Sequence, residues 1–148
     1  MNNIVLFEPE IPQNTGNIMR TCMAFNMKLH LIEPIGFMLD EKHLRRASMD
    51  YIERLDYNTY KNYEEFTQNE KGRYVYLSRY GMKTFAECDF TTTDKNEDIY
   101  LIFGKESTGI PKDILKDDLE HCMRIPMTDN VRSLNLSNCV AICTYEVL

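Results

Sequence analysis

The sequence lacks any apolar run near the roughly 20 residues that a membrane-spanning helix needs, and residues 1–8 lack the basic start and long apolar core of a signal peptide. We therefore expect a cytoplasmic chain with no membrane partner. The cysteines are few and odd in number, and no two have CxxC spacing; they are Cys22, Cys88, Cys122, Cys139 and Cys143. This pattern indicates reduced thiols buried in the core, and with three scattered histidines it predicts no metal site.

Basic residues are outnumbered, with 17 Lys and Arg against 23 Asp and Glu, for a net charge of −6. Such a balance argues against a protein that coats nucleic acid indiscriminately. A local basic patch remains compatible with it, and the candidate is Lys42, Arg45 and Arg46. Composition alone favours a solvated helix face for these three residues.

The chain also lacks repeats, linkers and low-complexity segments, so we expect residues 1–148 to form one domain. Short apolar runs predict strands at 3–7, 28–32, 54–57, 74–77, 99–103 and 123–125. Between them, helices are predicted at 41–47, 60–69 and 134–148. Two more are predicted to start at a polar cap, Asn14–Asn17, and at Pro111 as first helical residue, and segment 84–90 is ambiguous. The last helix has no glycine stop or basic last turn, so we expect the chain to end inside it. The alternation predicts a mostly parallel α/β sheet with helices on both faces.

Three polar loops follow predicted strands, at 12–20, 103–111 and 125–138. Ligands in open α/β sheets bind beyond the carboxyl ends of the strands. The second loop lacks the GK[ST] ending of a P-loop and the GxGxxG of a dinucleotide fold, so its glycines, Gly104 and Gly109, instead suit close backbone approach to a ligand or a positive φ. Each loop alone is more often a turn with a helix cap than a site. The three together favour a site without naming its reaction.

The three loops resemble, in order and spacing, the three signature motifs of the SPOUT superfamily of RNA methyltransferases, in its SpoU-type 2′-O branch. The resemblance runs almost from end to end of the chain. Within that branch it is closer to the small enzymes that modify the wobble nucleotide of tRNA. This closer match rests on IVLFEPEIP at 4–12, on LRRA at 44–47 and on the lack of an added RNA-binding domain.

The resemblance implies transfer of a methyl group from S-adenosylmethionine to a ribose 2′-hydroxyl of tRNA, at the wobble position of the anticodon loop and without a metal. It also implies a C-terminal trefoil knot, in which the last helix threads a loop. The residue pattern alone predicts an ordinary doubly wound sheet, because true knots are very rare. A homodimer that shares its active site between subunits is the third implication.

Site residues also follow from the resemblance. It implies a catalytic set of Arg20, Asn14, Glu106, Ser133 and Asn135. The methyl donor would be held, largely by backbone, at Leu77, Gly104, Ile125, Met127, Ser133 and Leu134. A branched side chain at Gly104 is expected to occupy the space that the donor needs. The RNA backbone would be contacted by Lys42, Arg45 and Arg46.

Arginine normally stays protonated, so we expect Arg20 to position and stabilise the reacting groups rather than to act as a base. Asn14, six residues earlier, is expected to lie on the same turn and fix that geometry. Two other functions stay open: an rRNA enzyme of the same family, and a non-catalytic α/β module that binds RNA or a nucleotide. The intact catalytic set argues against the second, and the missing added domain argues weakly against the first.

Overall fold

The computed structural model describes residues 1–90 and 96–148, and within them seven strands form one sheet. The strands are β1 (Asn2–Phe7), β2 (Lys28–Ile32), β3 (Tyr57–Tyr60), β4 (Arg73–Leu77), β5 (Lys83–Thr84), β6 (Ile99–Phe103) and β7 (Cys122–Arg124). Their order is β3-β2-β1-β6-β4-β7-β5, and every pairing among the described strands is parallel. The predicted α/β class with a mostly parallel sheet is confirmed.

Five α-helices and three short 3₁₀ helices connect these strands in the described part of the chain. The α-helices are α1 (Pro12–Ala24), α2 (Lys42–Ser48), α3 (Tyr63–Asn69), α4 (Lys112–Leu115) and α5 (Leu136–Val147). The 3₁₀ helices span Tyr51–Glu53, Phe85–Glu87 and Lys116–His121.

Side chains alternate between the two faces along each buried strand. Each face therefore carries apolar side chains, and helices cover both faces. In β1, Ile4 and Leu6 point into one apolar cluster, while Val5 and Phe7 point into the other. The first cluster takes side chains from α1, α2 and α5, and the second takes them from α3 and α4. Burial on both sides explains why the central strand at 99–103 is a continuous apolar run in the sequence.

Several predicted boundaries were wrong, mostly at helix starts. Helix α1 begins at Pro12, two residues before the predicted polar cap, and its N-cap Ile11 offers no side-chain hydrogen bond. The predicted strand at 54–57 is displaced to β3, and the following helix starts only after Asn62, whose side chain accepts from the Glu65 amide. Pro111 is the N-cap of α4 rather than its first residue.

A buried polar network crosses the second apolar cluster. The His30 ring bonds to the Tyr60 hydroxyl through Nδ1 (2.8 Å) and to the Asn3 side chain through Nε2 (3.0 Å). Glu70 accepts hydrogen bonds from the hydroxyls of Tyr60 (2.6 Å) and Tyr100 (2.9 Å). Burial lowers the pKa of His30 to about 4 against the opposing charge of Glu70, so the ring is neutral at physiological pH. The scattered histidines of the sequence gave no sign of this network.

All five cysteines are free thiols, as predicted. Cys22, Cys122 and Cys143 are buried, and Cys88 and Cys139 are half-buried. Burial raises the pKa of Cys22 to about 12, which keeps its thiol unreactive. Among the described residues, no helix combines the length and the apolarity that crossing a membrane requires.

Candidate functional site

A cavity of about 510 Å³ lies beyond the carboxyl ends of β4, β6 and β7, where the three loops singled out in the sequence meet. All six residues assigned to donor binding line it; they are Leu77, Gly104, Ile125, Met127, Ser133 and Leu134. Asn14, Glu106 and Asn135 line it as well. The structure therefore brings nine of the ten residues from those two sets around one cavity.

Two glycines shape the loop that follows β6. Gly109 has a φ of +74°, a backbone region that side chains with a Cβ rarely adopt, and its amide donates to the Lys105 carbonyl (2.8 Å). This turn folds the loop back onto Gly104, where an added Cβ would lie 2.2 Å from the Gly109 carbonyl carbon and 2.2 Å from the Ile110 nitrogen. The sequence-based reason for Gly104 is thus incomplete, because a side chain there first meets the chain's own backbone.

Glu106 fastens this loop to the start of α1. Its carboxylate accepts from the backbone amides of Glu10 (2.9 Å) and Ile11 (3.1 Å). In return, the Glu10 carboxylate accepts from the amide (2.9 Å) and the hydroxyl (2.6 Å) of Ser107. These bonds from Ser107 lower the pKa of Glu10, so its carboxyl group favours the charged form. Segments 10–11 and 106–107 therefore hold each other in place across 96 residues of sequence.

Asn14 extends the connection to the third loop. Its amide nitrogen donates to Glu106 (3.3 Å), and its carbonyl oxygen accepts from the Asn135 side chain (3.0 Å). Asn135 is also the N-cap of α5, because its oxygen accepts from the amides of Ser137 (3.0 Å) and Asn138 (3.3 Å). One line of hydrogen bonds, from Glu106 through Asn14 to Asn135, therefore joins all three loops.

This arrangement changes the reading of the polar site residues. Glu106 receives two backbone amide bonds and one side-chain bond, so both of its oxygens already accept hydrogen bonds from the chain itself. A carboxylate held in this way is suited to positioning and poorly placed to take a proton from a substrate. We therefore interpret Glu106, Asn14 and Asn135 as positioning residues. Ser133 is exposed at the cavity.

Arg20 does not join the cavity of its own chain. Its side chain is exposed on α1, and it is absent from the described lining. The expectation that Asn14 fixes its geometry stays a prediction with no contact behind it: six residues of α-helix turn through about 600°, which places the two side chains roughly 120° apart around the axis. Asn14 instead faces Glu106 and Asn135.

The basic patch of Lys42, Arg45 and Arg46 is exposed on α2, away from the cavity lining. Helix α2 packs through Leu44, which is fully buried. The role of the patch in RNA binding stays a prediction.

Sequence reasoning missed part of the cavity wall. Ser78, Arg79 and Tyr80 follow β4 directly and line the cavity, as does Ile11 before α1. The rule that ligands bind beyond the carboxyl ends of parallel strands would have pointed to 78–80.

Asn135→Ala is expected to lower the free energy of unfolding by about 1–2 kcal/mol, because α5 loses its cap and Asn14 loses a partner. Asn62→Ala is a matched control, since Asn62 caps α3 outside the cavity. Thermal melts should show comparable losses for the two variants. Only the Asn135 variant should bind a cavity ligand more weakly, and equal ligand affinities would reduce Asn135 to a helix cap.

The chain is similar to known RNA methyltransferases along almost its whole length. The model of the SpoU rRNA Methylase family matches residues 1–145. A protein of Geobacillus stearothermophilus, provisionally assigned as a tRNA (cytidine(34)-2′-O)-methyltransferase, is 49% identical over 147 residues, which cover 99% of this chain and 92% of that protein. The tRNA (cytidine(34)-2′-O)-methyltransferase of Saccharophagus degradans is 45% identical over 148 residues, 99% of this chain and 93% of that protein. A structure from work on 2′-OH methylation of C/U34 on tRNA superimposes with a TM-score of 0.90 at 38% identity, covering 99% and 93% of the two chains.

Proposed function

This chain belongs to the SpoU rRNA Methylase family, and from that premise we propose that it methylates the ribose 2′-hydroxyl of the wobble nucleotide of tRNA, with S-adenosylmethionine as methyl donor. The observation that carries the proposal is the convergence of the three family loops on one cavity. Relatives at 45–49% identity over nearly the whole chain carry names for this reaction on tRNA, which favours tRNA over rRNA.

The cavity fits a nucleoside-sized donor. Its volume of about 510 Å³ lies within the usual range for small-molecule sites. Leu77, Ile125 and Leu134 offer apolar walls of the kind that a purine ring contacts. The turn at Gly104 brings backbone to the cavity with no side chain in between. S-adenosylmethionine, when bound, supplies a methyl group already activated on a sulfonium, so the chain's own task is alignment and charge stabilisation.

The polar residues divide that task. Glu106, Asn14 and Asn135 hold the three loops in register, so the donor pocket and the start of α1 move as one unit. Ser133 stands exposed at the cavity, where its hydroxyl can bond a substrate. Arg20 offers a guanidinium with several donors in a fixed fork, which suits a grip on the RNA phosphate beside the target ribose. The proton of the 2′-hydroxyl would then leave to phosphate or water.

An exposed Arg20 outside its own cavity fits a homodimer in which one subunit supplies the arginine to its partner's donor site. Helix α5 carries apolar side chains in an exposed position, with Ile142 at 48% and Tyr145 at 75% exposure. A second copy of the chain would cover such surface. Sedimentation at micromolar concentration should therefore give about twice the mass of one chain, 17.5 kDa.

A cytoplasmic location accords with a substrate that is made and used there. The trefoil knot implied by the resemblance stays a prediction. The bond between Asn14 and Asn135 brings α1 and the start of α5 together without defining how the chain is threaded.

The decisive experiment is methyl transfer from labelled S-adenosylmethionine to bulk tRNA, followed by mapping of the modified nucleotide. We expect 2′-O-methylation at nucleotide 34, and calorimetry with S-adenosylhomocysteine should show one site per chain. Label in rRNA alone would favour the rRNA activity. Donor binding without transfer to any RNA would favour a binding module, and a lack of donor binding at millimolar ligand would refute the proposal.

A further inference from the structure

Tyr80 lies at the edge of the cavity between two cations. The Arg79 guanidinium lies 4.9 Å from the centre of the Tyr80 ring, and one of its nitrogens donates to the Tyr80 hydroxyl (2.8 Å). The Lys112 ammonium, from α4, lies 5.0 Å from the same ring centre. Both distances are within the range of cation–π attraction. One aromatic ring beside the cavity therefore contacts two positive charges, one from the turn after β4 and one from the start of α4.

Neither charge is neutralised within the described structure. Arg79 and Lys112 are exposed, and neither forms an ion pair with a described carboxylate. The pKa of Tyr80 is lowered by the bond from Arg79 and by the charges of Arg79 and Lys112, with no carboxylate opposing them. Two positive charges without an ion-pair partner among the described residues therefore lie against one ring, in a chain whose net charge is −6.

The backbone that presents Tyr80 is fixed by hydrogen bonds. The Ser78 amide donates to the Met123 carbonyl of β7 (2.9 Å), and the Gly81 amide donates to the Ser78 carbonyl (3.0 Å). The Tyr80 amide donates to the Ser78 hydroxyl (3.1 Å), and Arg124 donates to the Gly81 carbonyl (3.1 Å). A turn held at these points keeps the ring and its cations beside the cavity before any ligand arrives.

We propose that Arg79, Tyr80 and Lys112, the Tyr80 cation site, bind the sugar–phosphate backbone of the RNA substrate next to the nucleotide that is methylated. This inference rests on the proposed function and names a contact surface for its substrate. A polyanion such as RNA can engage both charges at once with successive phosphates. An acidic protein repels RNA over most of its surface, so unpaired cations beside the cavity decide where the strand approaches.

The test is binding of unmodified tRNA to the full chain across a range of salt concentrations. The variant is Arg79→Gln/Lys112→Gln. Its control is Lys61→Gln/Lys71→Gln, which removes the same charge from exposed lysines outside the cavity lining. Loss of two phosphate contacts should weaken binding about tenfold or more at low salt and make the plot of log K against log salt shallower by about 1.4–1.8. The control should stay within about twofold of the unchanged chain, and Arg79→Lys/Lys112→Arg should keep the original slope.

Calorimetry with S-adenosylhomocysteine tells whether the two cations bind RNA phosphate or the carboxylate of the methyl donor. Lys112 lies outside the cavity lining, so we expect Lys112→Gln to keep the donor affinity of the unchanged chain. A loss of donor affinity in Lys112→Gln would assign the cations to the donor and overturn the inference. An unchanged salt slope, or an equal loss in the control, would overturn it too. If the double variant melts early, Lys112→Gln alone gives the same test with about half the change in slope. If the unchanged chain binds no tRNA, the proposed function itself is overturned. If the unchanged chain binds and methylates tRNA, a negative result with the variants counts only against the Tyr80 cation site.

Discussion

Gly104→Ala is expected to reduce donor affinity by about 10- to 100-fold, although the change adds only one methyl group. The new Cβ would lie 2.2 Å from two backbone atoms of Gly109 and Ile110. Backbone cannot rotate away as a flexible side chain can, so the loop after β6 must move. Overpacking of this kind costs about 1–3 kcal/mol or more, and each 1.4 kcal/mol corresponds to a factor of ten in affinity. Calorimetry with S-adenosylhomocysteine measures the loss.

Gly109→Ala is the matched control in the same turn. No atom lies within 4 Å of a Cβ at Gly109, so that variant suffers only the strain of its φ of +74°, about 1–2 kcal/mol. Melting temperatures without ligand then separate two explanations for Gly104. Overlap with the loop lowers the melting temperature of the free chain, whereas simple obstruction of the ligand leaves it unchanged. A free Gly104→Ala chain that melts normally would restore the obstruction hypothesis.

The central strands could be predicted because they satisfy a strong and local rule. Segment 99–103 is a short apolar run followed at once by Gly104, and it is buried on both faces of the sheet. Segment 28–32 ends in Leu31 and Ile32 shortly before Pro34, and only Lys28 of its five residues is not buried. β3 was misplaced because only Tyr60 of its four residues is buried, so it shows little apolar pattern. The start of α1 was misplaced because its N-cap Ile11 has no capping side chain, and the segment before the helix is held instead by Glu106, which lies 95 residues away and accepts from the Ile11 amide.

The membership of the site could be predicted, but the roles within it could not. Motif resemblance gathered nine residues that do line one cavity. The resemblance could not show that the Glu106 carboxylate accepts hydrogen bonds from backbone amides, because those bonds join segments that are distant in the sequence. The separation of the Asn14 and Arg20 side chains, in contrast, could have been predicted from the sequence, because it follows from the α-helical repeat. The Tyr80 cation site could not be predicted from the sequence, because it forms only where Lys112 of α4 contacts the turn after β4.

Arg20→Ala is expected to lower single-turnover methylation by roughly two to four orders of magnitude, the scale of positioning and electrostatic effects. Donor affinity should barely change, because Arg20 is outside the cavity of its own chain. Arg20→Lys should recover little, since a point charge cannot reproduce a two-pronged grip on phosphate. The measurement is the rate at saturating tRNA and donor. Near-normal turnover in the lysine variant would show that charge suffices and that the fork is not needed.

Mixing two inactive chains tests where Arg20 acts. An Arg20→Ala chain keeps an intact donor cavity, and a Gly104→Ala chain keeps its arginine. If each site pairs the cavity of one subunit with the arginine of the other, a mixed dimer regains one working site from two defective chains. Random exchange makes about half of the dimers mixed, so about one quarter of the normal activity should return. If arginine and cavity worked within one chain, neither chain could supply a complete site and mixing would restore nothing. The exposed position of Arg20 on α1, apart from the Glu106–Asn14–Asn135 line, is the reason to expect recovery.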